Sequence, residues 1–151
     1  MTATATPLPA TRDQIAALIP HQGGMCLLDE VKEATADTVV CISRSYSSPD
    51  NPLRRAGRLP AVALCEYGAQ AMAVHGGMAT QASGQRSPSG WLVALRDVQL
   101  NAAFVEAAGE LEVTARRLAE SDAAWQYEFA VTRAGRLLAS GRATVALKRT
   151  Q

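Results

Sequence analysis

PAVALCEYGAQAMAVHGG, residues 60–77, is the stretch on which the reading of this chain turns. Small and apolar side chains run through it at helical spacing, Pro60 stands where a proline can open a helix, and Gly76-Gly77 marks a natural stop. The stretch predicts a helix from Pro60 to about Val74 or a little beyond, apolar nearly all round and therefore enclosed by other elements. From Leu59 to Gln85 the single formal charge is Glu66. An ionised carboxylate among apolar side chains is costly unless it is paired or holds a proton. Glu66 is therefore the first candidate for chemistry. Its bland alternative is an ion pair with Arg55, Arg58 or Arg96.

Upstream of this helix, residues 1–9 read as a flexible lead-in. Thr11 can cap a short helix over 12–18, which Pro20 stops. Strand signals cover 25–34, apolar at its start and charged towards its end, and 38–46, β-branched and aromatic, with a turn at or near Thr35-Ala36-Asp37. The segment 47–60 holds three prolines, a glycine and three arginines, so it reads as a long functional loop. Downstream of a second loop (SGQRSPSG), apolar and polar residues alternate. Val98 and Leu100 alternate with Asp97 and Gln99, Leu111, Val113 and Ala115 with Glu110, Glu112 and Thr114, and Trp125, Tyr127, Phe129 and Val131 with Gln126, Glu128 and Thr132. Residues 137–148 form a last long strand with a bulge or bend expected at Gly141. Arg133-Ala134-Gly135 fits a tight hairpin before it.

A chain of 151 residues, 48% apolar and 19% charged, suits one globular domain, here 10–150. Its net charge of +1, without a basic block or basic–aromatic interleaving, argues against nucleic acid as a partner. Cys26, Cys41 and Cys65 lie far apart and form no CxxC, which fits reduced thiols in the cytoplasm better than a disulfide framework. The N-terminus has neither a basic nor an apolar signal region. Residues 59–79 are long enough to cross a bilayer, but Glu66, Gln70, His75 and the glycines and prolines argue against a membrane span. No Cys/His/Asp cluster has zinc spacing, and Asp29 and Glu30 have no metal-ligand company.

One dominant helix and about six strands, joined after the helix by short loops, define an α+β fold with an antiparallel sheet. A sheet curled round the helix explains why the helix is apolar and rich in Ala and Gly. The order strand, strand, loop, long helix, four strands resembles that of a hot-dog fold. The motifs carry the resemblance further. IPHQGGMCLLDEV (residues 19–31) and the helix together resemble the β-hydroxyacyl–acyl carrier protein dehydratases, with a Pro-His element before an apolar strand ending in Asp, and a helix opening Pro-Gly-Val with an acid followed four residues later by Gln. The matching positions are Pro60, Ala61, Val62, Glu66 and Gln70. The Pro-His-x-Gly-x-Met, Glu-Tyr-x-Ala-Gln-Ala and His-Gly-Gly patterns are most similar to the aryl-polyene biosynthesis branch. The match is strong over residues 14–77, and beyond them only the order of the strands agrees. One departure from the ordinary dehydratases matters most: their catalytic His would stand at Pro52, and 47–60 contains no His.

The resemblance implies dehydration of a 3-hydroxyacyl thioester, carried by acyl carrier protein or coenzyme A, to the trans-2-enoyl thioester, with no cofactor. His21 is then the candidate base, taking the C2 proton and meeting Glu66 across a dimer boundary; its bland alternative is a loop imidazole that caps the neighbouring strand or the short helix. Glu66 is the candidate acid for the departing C3 hydroxyl, its apolar surroundings favouring the proton-donating form. Helix-opening N–H groups around Ala61 and Val62 would hold the thioester oxygen, though Ala61 stands where the family has Gly. Gln70 would bond the carboxylate or the opposing loop, and Tyr67 would be core or pocket wall. His75, about two and a half turns from Glu66, faces away from it and reads as a helix C-terminal histidine favoured by the dipole. The loop arginines are solvated, or meet an acidic carrier protein or a phosphopantetheine phosphate. The assembly implied is a homodimer or larger homo-oligomer, or a hetero-oligomer with a paralogue. Two rivals share the fold: a thioesterase whose helix carboxylate activates water, and a non-catalytic dehydratase-like subunit that binds a carrier protein.

Overall fold

The structure is a computed structural model that describes residues 7–20, 23–83, 89–106 and 109–148. Most of the expected lead-in, and His21 with Gln22, lie outside these residues. Thr11 caps α1 (Arg12–Ala16), its Oγ1 accepting from the Gln14 N–H at 3.2 Å. Strands β1 (Glu30–Ala34) and β2 (Thr38–Ser43) follow, then β3 (Leu59–Pro60), a 3₁₀ turn over Ala61–Ala63 and α2 (Leu64–Ser83). The chain continues through β4 (Ser89–Leu100), β5 (Phe104–Val105), β6 (Leu111–Glu120), β7 (Ala124–Arg133) and β8 (Arg136–Lys148). The sheet runs β1-β2-β6-β7-β8-β4 with every neighbouring pair antiparallel, and β3 pairs separately with β5.

Alternation in β6 and β7 sets which face meets the helix. Leu111, Val113, Ala115, Tyr127, Phe129 and Val131 are buried together with Leu64, Tyr67, Ala71 and Val74 of α2. The six-stranded antiparallel sheet around one long helix is the fold class the sequence implied. Two-residue turning at Ala134 and Gly135, both in the left-handed region (φ 50 and 77), closes the expected hairpin.

Several boundaries differ from the sequence reading. Residues 25–29 are not strand: Gly23–Met25 is a 3₁₀ turn, and Cys26, Leu27 and Leu28 are buried without joining the sheet. The second strand ends at Ser43, and Tyr46 sits in a 3₁₀ turn at Ser45–Ser47. Asp29 causes this, its Oδ2 accepting from the N–H groups of Arg44 and Ser45 at 2.5 and 2.9 Å. The irregularity expected at Gly141 lies in the facing strand, where β4 inserts Asp97 (φ 53) and Val98 between the pairs Arg96↔Arg142 and Gln99↔Ser140.

Most consequentially, α2 does not stop at Gly76-Gly77 but continues to Ser83. Neither glycine takes a positive φ, so neither acts as a C-terminal cap. They are instead places of close approach: a Cβ on Gly77 would lie 2.5 Å from the Leu18 carbonyl oxygen, and one on Gly76 would lie 3.1 Å from the Trp125 ring.

Candidate active site

The opening of α2 is fixed by β3. Pro60 is extended (φ −62, ψ 139), Leu59 and Pro60 pair with Val105 and Phe104, and the Ala61 N–H donates to the Ala103 carbonyl at 2.9 Å. This corrects one expectation. The Ala61 N–H is already used, and Ala61 itself is buried, so it is not a free donor for a substrate oxygen. Val62 differs: it is 61% exposed, and its N–H lies in the first turn, where a helix offers no acceptor of its own.

Glu66 lies four residues on, on the same face as Val62. The expectation that it is buried in apolar surroundings does not hold for the single chain, where it is exposed on the helix flank turned from the sheet. It forms no ion pair among the described residues. The arginines considered for it are engaged elsewhere: Arg55 donates to the Pro52 and Arg54 carbonyls, Arg58 stacks on Phe104, and Arg96 reaches Gln126 and Thr144. Cys65 beside it is half-buried, its thiol pushed up by burial and by the Glu66 charge.

Gln70 and Tyr67 turn inward. Fully buried, Gln70 accepts from the Leu27 N–H through Oε1 at 2.9 Å and donates to the Met25 carbonyl through Nε2. Its amide thus clasps the segment following His21, not Glu66 or a substrate oxygen. The Tyr67 hydroxyl accepts from Asn51 Nδ2 at 2.9 Å, and burial pushes the phenol up to about 12. Asn51 Oδ1 in turn accepts from the Leu53 N–H at 2.9 Å. Tyr67 is core, and through Asn51 it anchors the 47–60 loop. Nothing local in the sequence distinguished Asn51 as the residue that ties this loop to the helix.

His75 is not a helix-end histidine. It is 3% exposed in mid-helix, with Nε2 2.9 Å from the Ala36 carbonyl and Nδ1 2.8 Å from the Tyr127 hydroxyl. A carbonyl can only accept, so Nε2 carries the hydrogen and the tyrosine donates to Nδ1. Burial holds this imidazole below its ordinary 6.5, which leaves it neutral and structural. Although His21 lies outside the described residues, its flanks do not: Leu18 packs on Gly77, and Met25 and Leu27 are held by Gln70. Gly77 and Gln70 are within about 40° of Glu66 around the helix axis, so both flanks run along the Glu66 side of α2.

Among the described residues no group of His, Cys, Asp and Glu could hold a metal ion, and no helix is long and apolar enough to cross a membrane.

A long helix clasped by a six-stranded antiparallel sheet, with a lone carboxylate in its first turn, defines a hot-dog protein with an acid at the helix opening. The sequence matches the ApeP-like family, described as ApeP dehydratase, over residues 13–150, and the chain belongs to that family. It is a dehydratase-like lyase, and the aryl-polyene branch that the motifs implied is borne out. Among solved structures, the dehydratase heterocomplex ApeI:P from Xenorhabdus doucetiae shares the fold at TM-score 0.84 and 21% identity, covering 96% of this chain and 94% of that one. Zebra fish thioesterase superfamily member 2 matches at 0.64 and 20%, covering 90% and 94%. A hypothetical thioesterase from Streptococcus pneumoniae TIGR4, solved with coenzyme A, matches at 0.61 and 11%, covering 81% and 87%. No curated protein matches the sequence.

Proposed function

We propose that the chain removes water from a 3-hydroxyacyl thioester, carried by acyl carrier protein in aryl-polyene assembly, to give the trans-2-enoyl thioester. The observation that carries this is Glu66, the only acid on α2, presented beside the unspent Val62 N–H in a chain of the ApeP dehydratase family. In the reaction, His21 takes the C2 proton, and the electron pair forms the C2=C3 bond as the C3–O bond breaks. The Glu66 carboxyl gives its proton to the leaving hydroxide, which departs as water. The Val62 N–H steadies negative charge on the thioester oxygen.

A reacting acid works in a site closed to water, and the fold supports a second subunit as cover for the exposed Glu66. Edge strand β4 leaves Trp91, Leu92 and Val93 at 49%, 40% and 52% exposed, with Leu95, Val98 and Leu100 also uncovered. An unpaired edge of this length and apolarity favours pairing with another chain. The second chain is a further copy or a paralogue; the Xenorhabdus protein is solved as a heterocomplex. Because Leu18, Met25 and Leu27 lie on the Glu66 side of α2 in the same chain, pairing within one subunit stands beside the cross-boundary arrangement the sequence suggested.

Glu66→Gln tests the reaction. With a 3-hydroxyacyl thioester, the parent generates the enoyl absorbance without releasing thiol, and the variant loses at least about 100-fold in rate, as expected for a positioned general acid. Thiol release by the parent would establish the thioesterase reading. Activity found only in complex with a paralogue, and unchanged there by both His21→Ala and Glu66→Gln, would make the chain a non-catalytic subunit. Mixing the two variants separates the arrangements, because activity returns only if the residues act across subunits.

A further inference from the structure

The 47–60 loop ends in a small basic hairpin. The N–H of Arg55 donates to the Arg58 carbonyl at 2.7 Å and the N–H of Arg58 to the Arg55 carbonyl at 3.0 Å. Between them Ala56 and Gly57 are both left-handed, with φ 52 and 76, the requirement of a type I′ turn. The hairpin is braced by its own arginines: Arg54 donates to the Gly57 carbonyl, and Arg55 donates to Pro52 and Arg54 at 3.0 and 3.1 Å. The Arg58 guanidinium lies 3.8 Å from the centroid of the Phe104 ring, a cation–π contact that holds it in place and leaves its N–H edges open.

What the hairpin lacks is counter-charge. Among the described residues Arg54, Arg55 and Arg58 form no ion pair, and neither do Arg96, Arg133, Arg136 and Arg142, but only the hairpin gathers three such cations within five residues. Asp50 in the same loop does not pair with them, and neither does Glu106, which follows Val105 on the strand facing Leu59. Arg55 and Arg58 are exposed, and the chain between Arg58 and the exposed Val62 is only Leu59, Pro60 and Ala61. Phe104, 40% exposed, lies against Pro60 in the β3–β5 pair. Preformed positive charge and uncovered apolar surface therefore meet beside the opening of α2.

We propose that this hairpin is the docking surface for the acidic protein that carries the acyl group, with Arg55 and Arg58 meeting its carboxylates and Phe104 and Val62 forming the apolar floor between. The proposal rests on the carrier-bound dehydration proposed above. An extended acidic surface fits better than a single phosphate. A phosphate is gripped by converging donors, whereas Arg54 and Arg55 turn donors back onto loop carbonyls and the charge stays spread along the hairpin.

The test is the double variant Arg55→Glu/Arg58→Glu, with Arg55→Gln/Arg58→Gln as a milder form and Arg136→Glu, on the β7–β8 turn, as a control for charge placement. Titration of each with a phosphopantetheinylated acyl carrier protein needs no catalysis. We expect the glutamate pair to weaken binding about ten-fold or more, the glutamine pair less, the control under about two-fold, and parental binding to fall with salt. In turnover, kcat/KM for carrier-linked relative to pantetheine-linked thioester falls by the same factor. Unchanged carrier binding in the glutamate pair, with the fold intact by circular dichroism, overturns the proposal. An equal fall with the phosphopantetheine thioester overturns it in favour of a phosphate contact. If the parent dehydrates no thioester, the functional reading fails, and the titration still decides the docking surface.

Discussion

Replacing Gly77 by alanine sets helix propensity against packing. In an exposed helix interior, glycine to alanine stabilises by about 1 kcal/mol. At Gly77 the new Cβ would stand 2.5 Å from the Leu18 carbonyl oxygen, 3.1 Å from Leu18 Cβ and 3.3 Å from its carbonyl carbon. The obstacle is mostly backbone, which cannot swing aside as a side-chain tip can. The overpacking cost therefore belongs in the upper part of the usual range of about 1–3 kcal/mol. Subtracting the propensity gain leaves a net loss of about 1–2 kcal/mol. For a chain of this length that lowers Tm by roughly 3–6 °C, measured by thermal unfolding followed by circular dichroism. Gly76→Ala is the internal comparison. Its Cβ meets a ring edge, Trp125 Cζ3, at 3.1 Å, which can yield by a few tenths of an ångström, so that variant should match or exceed the parent in stability. A Gly77→Ala protein as stable as the parent, or a Gly76→Ala protein less stable than Gly77→Ala, would refute the account of why α2 passes through both glycines. The same contact holds Leu18, so Gly77→Ala should also slow dehydration if the segment carrying His21 is positioned through it.

Two further outcomes follow from buried polar groups. Gln70→Leu keeps the shape but leaves the Leu27 N–H and the Met25 carbonyl without partners, at about 1–3 kcal/mol for each buried group. The Met25 carbonyl is only part-buried, so urea unfolding should show a loss in the lower part of the summed range, about 2–4 kcal/mol, and a loss under about 1 kcal/mol would mean the loop finds other partners. His75 makes stability depend on pH: its folded-state pKa lies below the ordinary 6.5, so below pH 6.5 the unfolded chain binds a proton that the folded chain resists. Its contribution is complete above that pH and declines as pH falls from 6.5 towards the folded value, by at most about 1.4 kcal/mol per pH unit. His75→Phe should flatten this part of the profile between pH 7.5 and 5, and an identical slope in parent and variant would exclude the imidazole as its source.

How much was legible depended on whether the deciding force was local. The alternation in β6 and β7 placed Val113, Tyr127 and Phe129 inside because strand side chains alternate between faces whatever lies nearby. The Ala134-Gly135 turn and the Thr11 cap were legible for the same reason, since backbone preference over a few residues settles them. Glu66 stood out as a lone charge in an apolar run, and the motifs around it led to the right family.

Contacts between distant segments decided the rest. Gly76-Gly77 reads as a stop along the chain, yet becomes a groove for Leu18 and Trp125 once α1 and β7 lie against the helix. Gln70 and Glu66 are one turn apart and look alike as polar interruptions, but the segment at Met25–Leu27 takes one amide into the core and leaves the other side chain outside. The Ala61 N–H looks like any free helix-opening donor until β5 brings Ala103 to it. In each case the sequence determined what a group can do, and only the fold determined which partner arrived first, because a buried donor or acceptor is satisfied by whatever the tertiary structure sets within about 3 Å of it.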